Sequence, residues 1–189
     1  MDIFETIYSR RAVREFTTEP VDEKVLRQLI DAAIQAPSAV NEQPWLFSVV
    51  LDKALLARIS REAKAHLLKT TALGLLSHSP RFQQILGDPG FDIFYHAPAL
   101  IVISSVTKGP WAVENCTLAA ENLMLAARGL GLGTCWIGFS QDWLGSEEGK
   151  AALKLPAASY PVAPIIVGHP KSEPPPVARK EPQINWIRP

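Results

Sequence analysis

Gly129-Leu130-Gly131-Leu132-Gly133-Thr134-Cys135-Trp136-Ile137-Gly138-Phe139 is the stretch on which the fold turns. Upstream of it Cys116, Ala119, Ala120, Leu123, Met124, Ala127 and Leu130 recur at three and four residues, the spacing of one helix face. The glycines therefore stop a helix, and the apolar run after them starts a strand. That order is the reverse of a dinucleotide fingerprint, in which a strand enters a glycine turn and the following helix N-terminus holds phosphate. The small-residue stripe belongs either to the core or to a subunit interface.

Outward from this junction the chain mixes long helices with few strands. Asp22 opens a helix carrying Val25, Leu26, Leu29, Ile30 and Ala33 at helical spacing, closed before Pro37. Residues 45–51 read as a strand and 53–63 as a helix. Residues 64–92 mix Leu-rich pieces with Ser77-His78-Ser79-Pro80 and Gly87-Asp88-Pro89-Gly90, which predicts a short helix plus loops over the site. The continuous apolar run 97–103 predicts a strand covered on both faces, and 162–167 predicts another. From Pro170 the chain turns proline-rich, with Pro174-Pro175-Pro176 before a strand-like Gln183-Ile184-Asn185-Trp186-Ile187. Proline fixes φ and favours an extended path, so this arm reaches a partner subunit or wraps its own domain.

Composition narrows the function. The 189 residues carry 19 Lys plus Arg against 19 Asp plus Glu, so no global field draws the chain to nucleic acid or an anionic membrane. The two cysteines, Cys116 and Cys135, form no Cys-x-x-Cys pair, which argues against zinc, an iron–sulfur cluster or a disulfide framework. No signal-peptide pattern or membrane-length apolar run is present, so a reducing cytoplasm is expected. His66, His78, His96 and His169 lie in unrelated contexts with no nucleophile motif. Asn115-Cys116-Thr117 matches a glycosylation acceptor only formally.

Two stretches point to a ligand. Arg10, Arg11 and Arg14 fall within five residues of a chain with zero formal charge. A guanidinium is always charged and its planar donor fork matches phosphate or carboxylate, so the cluster is either an anion site or a solvated basic face. Ala36-Pro37-Ser38-Ala39-Val40-Asn41-Glu42-Gln43-Pro44-Trp45 is a loop of hydroxyl and amide groups. It suits edge-on recognition of a heteroaromatic ring, or it is a helix-terminating turn whose Asn and Gln bond local backbone.

Together with His96-Ala97-Pro98, the Gly129 to Gly138 stretch and Arg179, these motifs resemble the FMN-dependent nitroreductases over nearly the whole chain. The resemblance implies an α+β fold, a mostly antiparallel sheet flanked by helices, whose C-terminal strand is exchanged between the subunits of a homodimer. It implies one FMN-binding domain over 1–189, with 170–189 as the arm to the partner. The dimer would also account for the small-residue stripe.

Carried over by position, Arg10 and Arg179 resemble the phosphate clamp, with Arg11 close by, and Arg14 the cation beside the pyrimidine edge of the flavin. Trp136, Ile137 and Gly138 match the strand end where backbone N–H groups meet the ring. Pro37, Ser38, Ala39 and Asn41 would come from the neighbouring subunit. Ala12 departs from the family, which usually has Ser there, so a hydroxyl contact near the ribityl phosphate is absent. The implied activity is transfer of hydride from NADH or NADPH through flavin N5 to an electron-poor small molecule, a nitroaromatic or quinone, in alternating half-reactions. No side chain is named as catalytic and no metal is expected. A dedicated dehydrogenase or dehalogenase on the same scaffold, or a flavin-binding protein without turnover, is the alternative.

Overall fold

The structure, a computed structural model, describes residues 1–72 and 80–188. Numbered in chain order, the second strand, β2 (Ala99–Ser105), is the spine of the sheet, and all seven of its residues are buried. Its unbroken apolar run is explained by packed layers on both faces. β1 (Trp45–Val50) flanks it on one side and β4 (Tyr160–Gly168) on the other, with β3 (Gly133–Trp136) beyond β4. The order is β1-β2-β4-β3 and every pairing is antiparallel.

Helices α2 (Glu23–Ala33) and α5 (Ala112–Gly129) close one face, packing Leu29, Leu123 and Ala127 on Ile101, Ile103 and Ile165. Helices α3 (Lys53–Ala72) and α6 (Gln141–Gly145) close the other, setting Ile59, Ala63 and Leu144 against Leu100, Val102 and Ile166. Each such Leu or Ile contributes about 1.5–3 kcal/mol of burial. Shorter helices α1 (Ile3–Ser9), α4 (Pro80–Gly87) and α7 (Glu147–Ala152) complete the described residues.

Local chemistry places the boundaries. Asp22 caps α2 by accepting the Lys24 amide at 2.7 Å. At the other end of the core, α5 stops as the glycine stretch predicts. Gly131 takes φ 75°, its amide donates to Arg128 O, and the Leu132 amide donates to Ala127 O at 2.8 Å. This double closure releases the chain directly into β3.

Three sequence expectations are revised. The helix from Lys53 continues to Ala72, because Ile59, Ala63 and Leu67 keep helical spacing and no Gly or Pro interrupts them. The small-residue stripe of α5 lies in the chain's own core: Cys116, Ala119, Ala120, Leu123 and Ala127 are fully buried against α2 and the sheet. In the arm, residues 173–188 form neither strand nor helix, and Ile184, Trp186 and Ile187 stand exposed, not wrapped on their own domain. Part of the 64–92 region, residues 73–79, lies outside the described residues.

Candidate functional site

The arginine segment leaves α1 and joins the free edge of β3. Ala12 bridges Thr134 in parallel, the Val13 amide donates to Thr134 O at 2.9 Å, and Thr17 donates to His169 O. Val13 and Phe16 enter the core, while Ala12, Arg14 and Glu15 face out; alternation accounts for residues 12–14, and the pattern shifts before Phe16. Gly133 permits this closeness, since a Cβ there would meet the Val13 side chain at 2.7 Å.

The three arginines have different surroundings. Arg10, about a quarter exposed, has Glu121 of α5 as its ion-pair partner among the described residues, at 3.8 Å. Arg14 lies over the Tyr95 ring, 5.9 Å from its centroid. Arg11 instead turns back, donating from Nη1 to Tyr8 O and Arg10 O at 2.7 Å each. It caps the end of α1, and its Nε is buried with no hydrogen-bond partner among the described residues. The cluster thus presents two cations outward, not three. Beneath them lies Cys135, whose thiol is pushed up by burial while the nearby Arg14 and Arg10 charges oppose that shift. Cys116, buried under α2, is pushed up to about 12 by desolvation.

Pro164 shapes the end of β3. Ile137 donates its amide to Pro164 O at 2.8 Å, and Pro164 has no N–H to return, so the ladder ends and the chain peels into a short turn at 138–140. The Ile137 amide is therefore engaged within the sheet and is not offered to a ligand. Gly138 is exposed, with nothing within 4 Å of where a Cβ would stand. Trp136 is half-buried against the α2–α5 core.

The loop at 37–43 is built from strained backbone. Val40, Asn41 and Gln43 take positive φ of 47°, 56° and 50°. Ser38 Oγ accepts the Gln43 amide, and Gln43 Nε2 donates to Asn41 Oδ1 at 2.8 Å. Both ends are pinned to Asn115: Oδ1 accepts the Ala39 amide and its carbonyl accepts Trp45 Nε1, each at 2.9 Å. Within one chain this loop and the arginines do not meet. Asn115 lies near the start of α5, whereas Arg10 stands beside Glu121, six residues and about 9 Å of helix further on, and Arg14 lies over Tyr95. Arg179 stands apart as well, exposed in the arm.

Sequence reading missed four residues here. Asn115, buried at 2% exposure, was hidden inside the formal glycosylation match, which that burial excludes. Tyr95 adjoined a motif without belonging to it. Arg128 and Glu173, which pair with both carboxylate oxygens at 2.8 Å, are separated by 45 positions and gave no local signal.

The nitroreductase family's sequence pattern matches residues 7–169. The chain belongs to the nitroreductase family. A nitroreductase with bound FMN from Bacteroides fragilis superposes with TM-score 0.83 at 25% identity, covering 100% of both chains. One from Desulfitobacterium hafniense, also with bound FMN, gives 0.82 at 27% identity, again over 100% of each. An NADH dehydrogenase of Thermus thermophilus is 48% identical over 54 residues, 29% of this chain and 26% of that protein. That aligned stretch covers about a quarter of the curated relative's length. Among the described residues no helix is long and apolar enough to cross a membrane.

The geometry accommodates a flat, phosphorylated ring. Two outward guanidiniums flank an exposed Ala12 along an extended segment, and an uncovered glycine stands at the adjoining strand end. Four residues of extended chain separate Arg10 from Arg14 by at most about 13 Å, so one cation can serve a phosphate and the other a ring edge.

Proposed function

We propose that this chain is an FMN-dependent oxidoreductase that takes reducing equivalents from NADH or NADPH and delivers them to an electron-poor small molecule such as a nitroaromatic or quinone. The single observation that carries this reading is the face formed by Arg10, Ala12 and Arg14 against the open end of β3 at Gly138. When bound there, FMN supplies the redox chemistry, accepting hydride from nicotinamide and passing electrons to the acceptor.

The chain's own residues bind and tune. Arg10, with Arg179 brought by the arm, holds the phosphate through charge-assisted bonds. Arg14 sets a permanent positive charge where negative charge grows on the pyrimidine edge, favouring the reduced state. Gly138 offers close backbone approach, whereas Ile137 orders the turn through Pro164. Pro37, Ser38, Ala39 and Asn41 cover the ring from a second copy of the chain, since in their own chain Asn115 pins the loop near the start of α5, apart from the arginine face along β3. The functional unit is therefore a homodimer. No side chain is required as acid or base.

The test is direct. The purified protein should be yellow, release FMN on denaturation as identified by chromatography, and bleach anaerobically with NADH or NADPH. A colourless protein that takes up no added FMN would refute the reading; a yellow protein that nicotinamides do not bleach would leave cofactor binding and remove the reductant.

A further inference from the structure

We propose that Arg128 and Glu173 are a positioning pair that anchors the C-terminal arm and sets where Arg179 is delivered. The inference rests on the reading of Arg179 as a phosphate ligand. Arg128 sits in the last turn of α5 with its side chain only 17% exposed, and Nη1 donates to both oxygens of Glu173 at 2.8 Å. Its Nε donates to Ser9 Oγ at 2.9 Å, so one guanidinium ties together α5, the exit of α1 and the root of the arm. The position also suits a cation, because the α5 C-terminus carries the negative end of the helix dipole.

Beside this contact the arm root is held mainly by backbone: Thr17 donates to His169 O, Lys171 donates to Glu15 O at 3.0 Å, and Phe16 bridges Pro170, with the His169 side chain 3.9 Å from Glu19. Those bonds fix residues 169–171. Glu173 is the last residue with a bond to the rest of the chain among the described residues, and beyond it the sequence is Pro174-Pro175-Pro176-Val177-Ala178-Arg179. Three consecutive prolines hold the first half of that span on a stiff polyproline path, about 9 Å at about 3.1 Å per residue, which leaves only Val177 and Ala178 as joints before Arg179. With the first half of the span stiff, the direction of the anchor decides the region that the far end reaches. A flexible linker would forgive its loss.

The same geometry removes Arg128 from the anion site. Its charge is answered by Glu173 at 2.8 Å, whereas among the described residues Arg10 has the longer contact with Glu121 at 3.8 Å. Adjacent arginines are thereby divided between holding the arm and holding the ligand.

The experiment titrates FMN into the flavin-stripped full chain and follows flavin fluorescence, for the parent and for Glu173→Gln, Arg128→Gln, the double variant, the charge swap Arg128→Glu with Glu173→Arg, and Arg179→Ala. Glu173 is exposed and its variant folds irrespective of Arg128's burial. Glu173→Gln and Arg128→Gln should each weaken FMN binding about threefold to tenfold, the double variant no more than the worse single, and the swap should recover most of the loss. A merely structural role for Arg128 would leave the swap unrescued and Glu173→Gln without effect. If Arg179→Ala weakens FMN binding while Glu173→Gln and the swap match the parent, the anchor is refuted and the phosphate assignment stands. If Arg179→Ala also matches the parent, the reading beneath it falls and takes the anchor with it.

Discussion

Arg14 illustrates how a single guanidinium is tuned at the residue scale. Tyr95, below it, takes φ 54°, uncommon for a bulky side chain, and is kept there because Asp92 accepts the amides of Phe94 and His96 at 3.0 Å. Phe91 packs edge-on to the same ring at 5.6 Å, so the platform under Arg14 is rigid. Arg14→Ala should lower the flavin reduction potential and slow reduction by NADH more than it weakens FMN binding, as read by spectroelectrochemistry and stopped flow; an unaltered potential would place Arg14 elsewhere. Arg10→Ala should act the other way round. Loss of a charge-assisted bond of about 1.5–3 kcal/mol raises the FMN dissociation constant about tenfold or more with the potential unchanged. Flavin affinity equal to the parent would remove Arg10 from the phosphate site. The sequence exposed the charges but not their division of labour: Arg10, Arg11 and Arg14 look equivalent in one dimension, and only the fold shows that Arg11 turns back to cap α1.

At the scale of elements, the seam between the arginine segment and β3 depends on a missing side chain. A methyl on Gly133 would lie 2.7–2.8 Å from three carbons of Val13. Gly133→Ala should therefore destabilise by about 1–3 kcal/mol, the usual cost of overpacking, and weaken FMN binding by displacing Arg14. Adding Val13→Gly, which removes all three of those carbons where alanine would leave Cβ at 2.7 Å, should relieve the clash and recover part of both losses, and failure of that rescue in thermal melts would show that the seam is held otherwise. Loop 37–43 stores the opposite kind of strain. Val40 is β-branched at φ 47° and 98% exposed, a conformation costing about 1–2 kcal/mol that glycine adopts freely. After the entropy glycine adds to the unfolded chain, Val40→Gly should gain up to about 1 kcal/mol, raising Tm by ~2–4 °C in calorimetry. A fall in Tm would instead mean that a second copy covers the side chain. Helices and strands were legible because periodicity and caps are local: Asp22 and the Gly131 stop stand in the sequence where the structure uses them. The anchoring of the loop by Asn115 was not, since a bond spanning 76 positions leaves no pattern, and the Pro164 carbonyl that engages Ile137 is equally remote.

For the whole molecule, the proposed function turns on one chain not completing its own site. The 37–43 loop is pinned near the start of α5, the arginine segment runs along β3 with Arg10 beside Glu121, and Arg179 projects on an arm with Ile184, Trp186 and Ile187 in solvent. Apolar side chains of that size on an unpaired extended segment invite pairing with another chain, and α1 offers further exposed apolar surface at Ile3, Phe4 and Tyr8. A second copy would cover the arm and bring the loop to the arginines in one step, which couples association to cofactor binding: whatever binds only the paired state stabilises it. Deleting residues 174–189 keeps Glu173 and its contact with Arg128 but removes both Arg179 and the apolar end. The truncated protein should fold, since its two cores contain no residue beyond Val167. It should run as a monomer by size exclusion with light scattering and elute without flavin. Arg179→Ala in the full chain separates the two contributions: it should remain dimeric and lose FMN affinity alone. If the truncated chain stays dimeric and yellow, the arm contributes neither to association nor to the phosphate site, and Arg10 must then hold the phosphate without it.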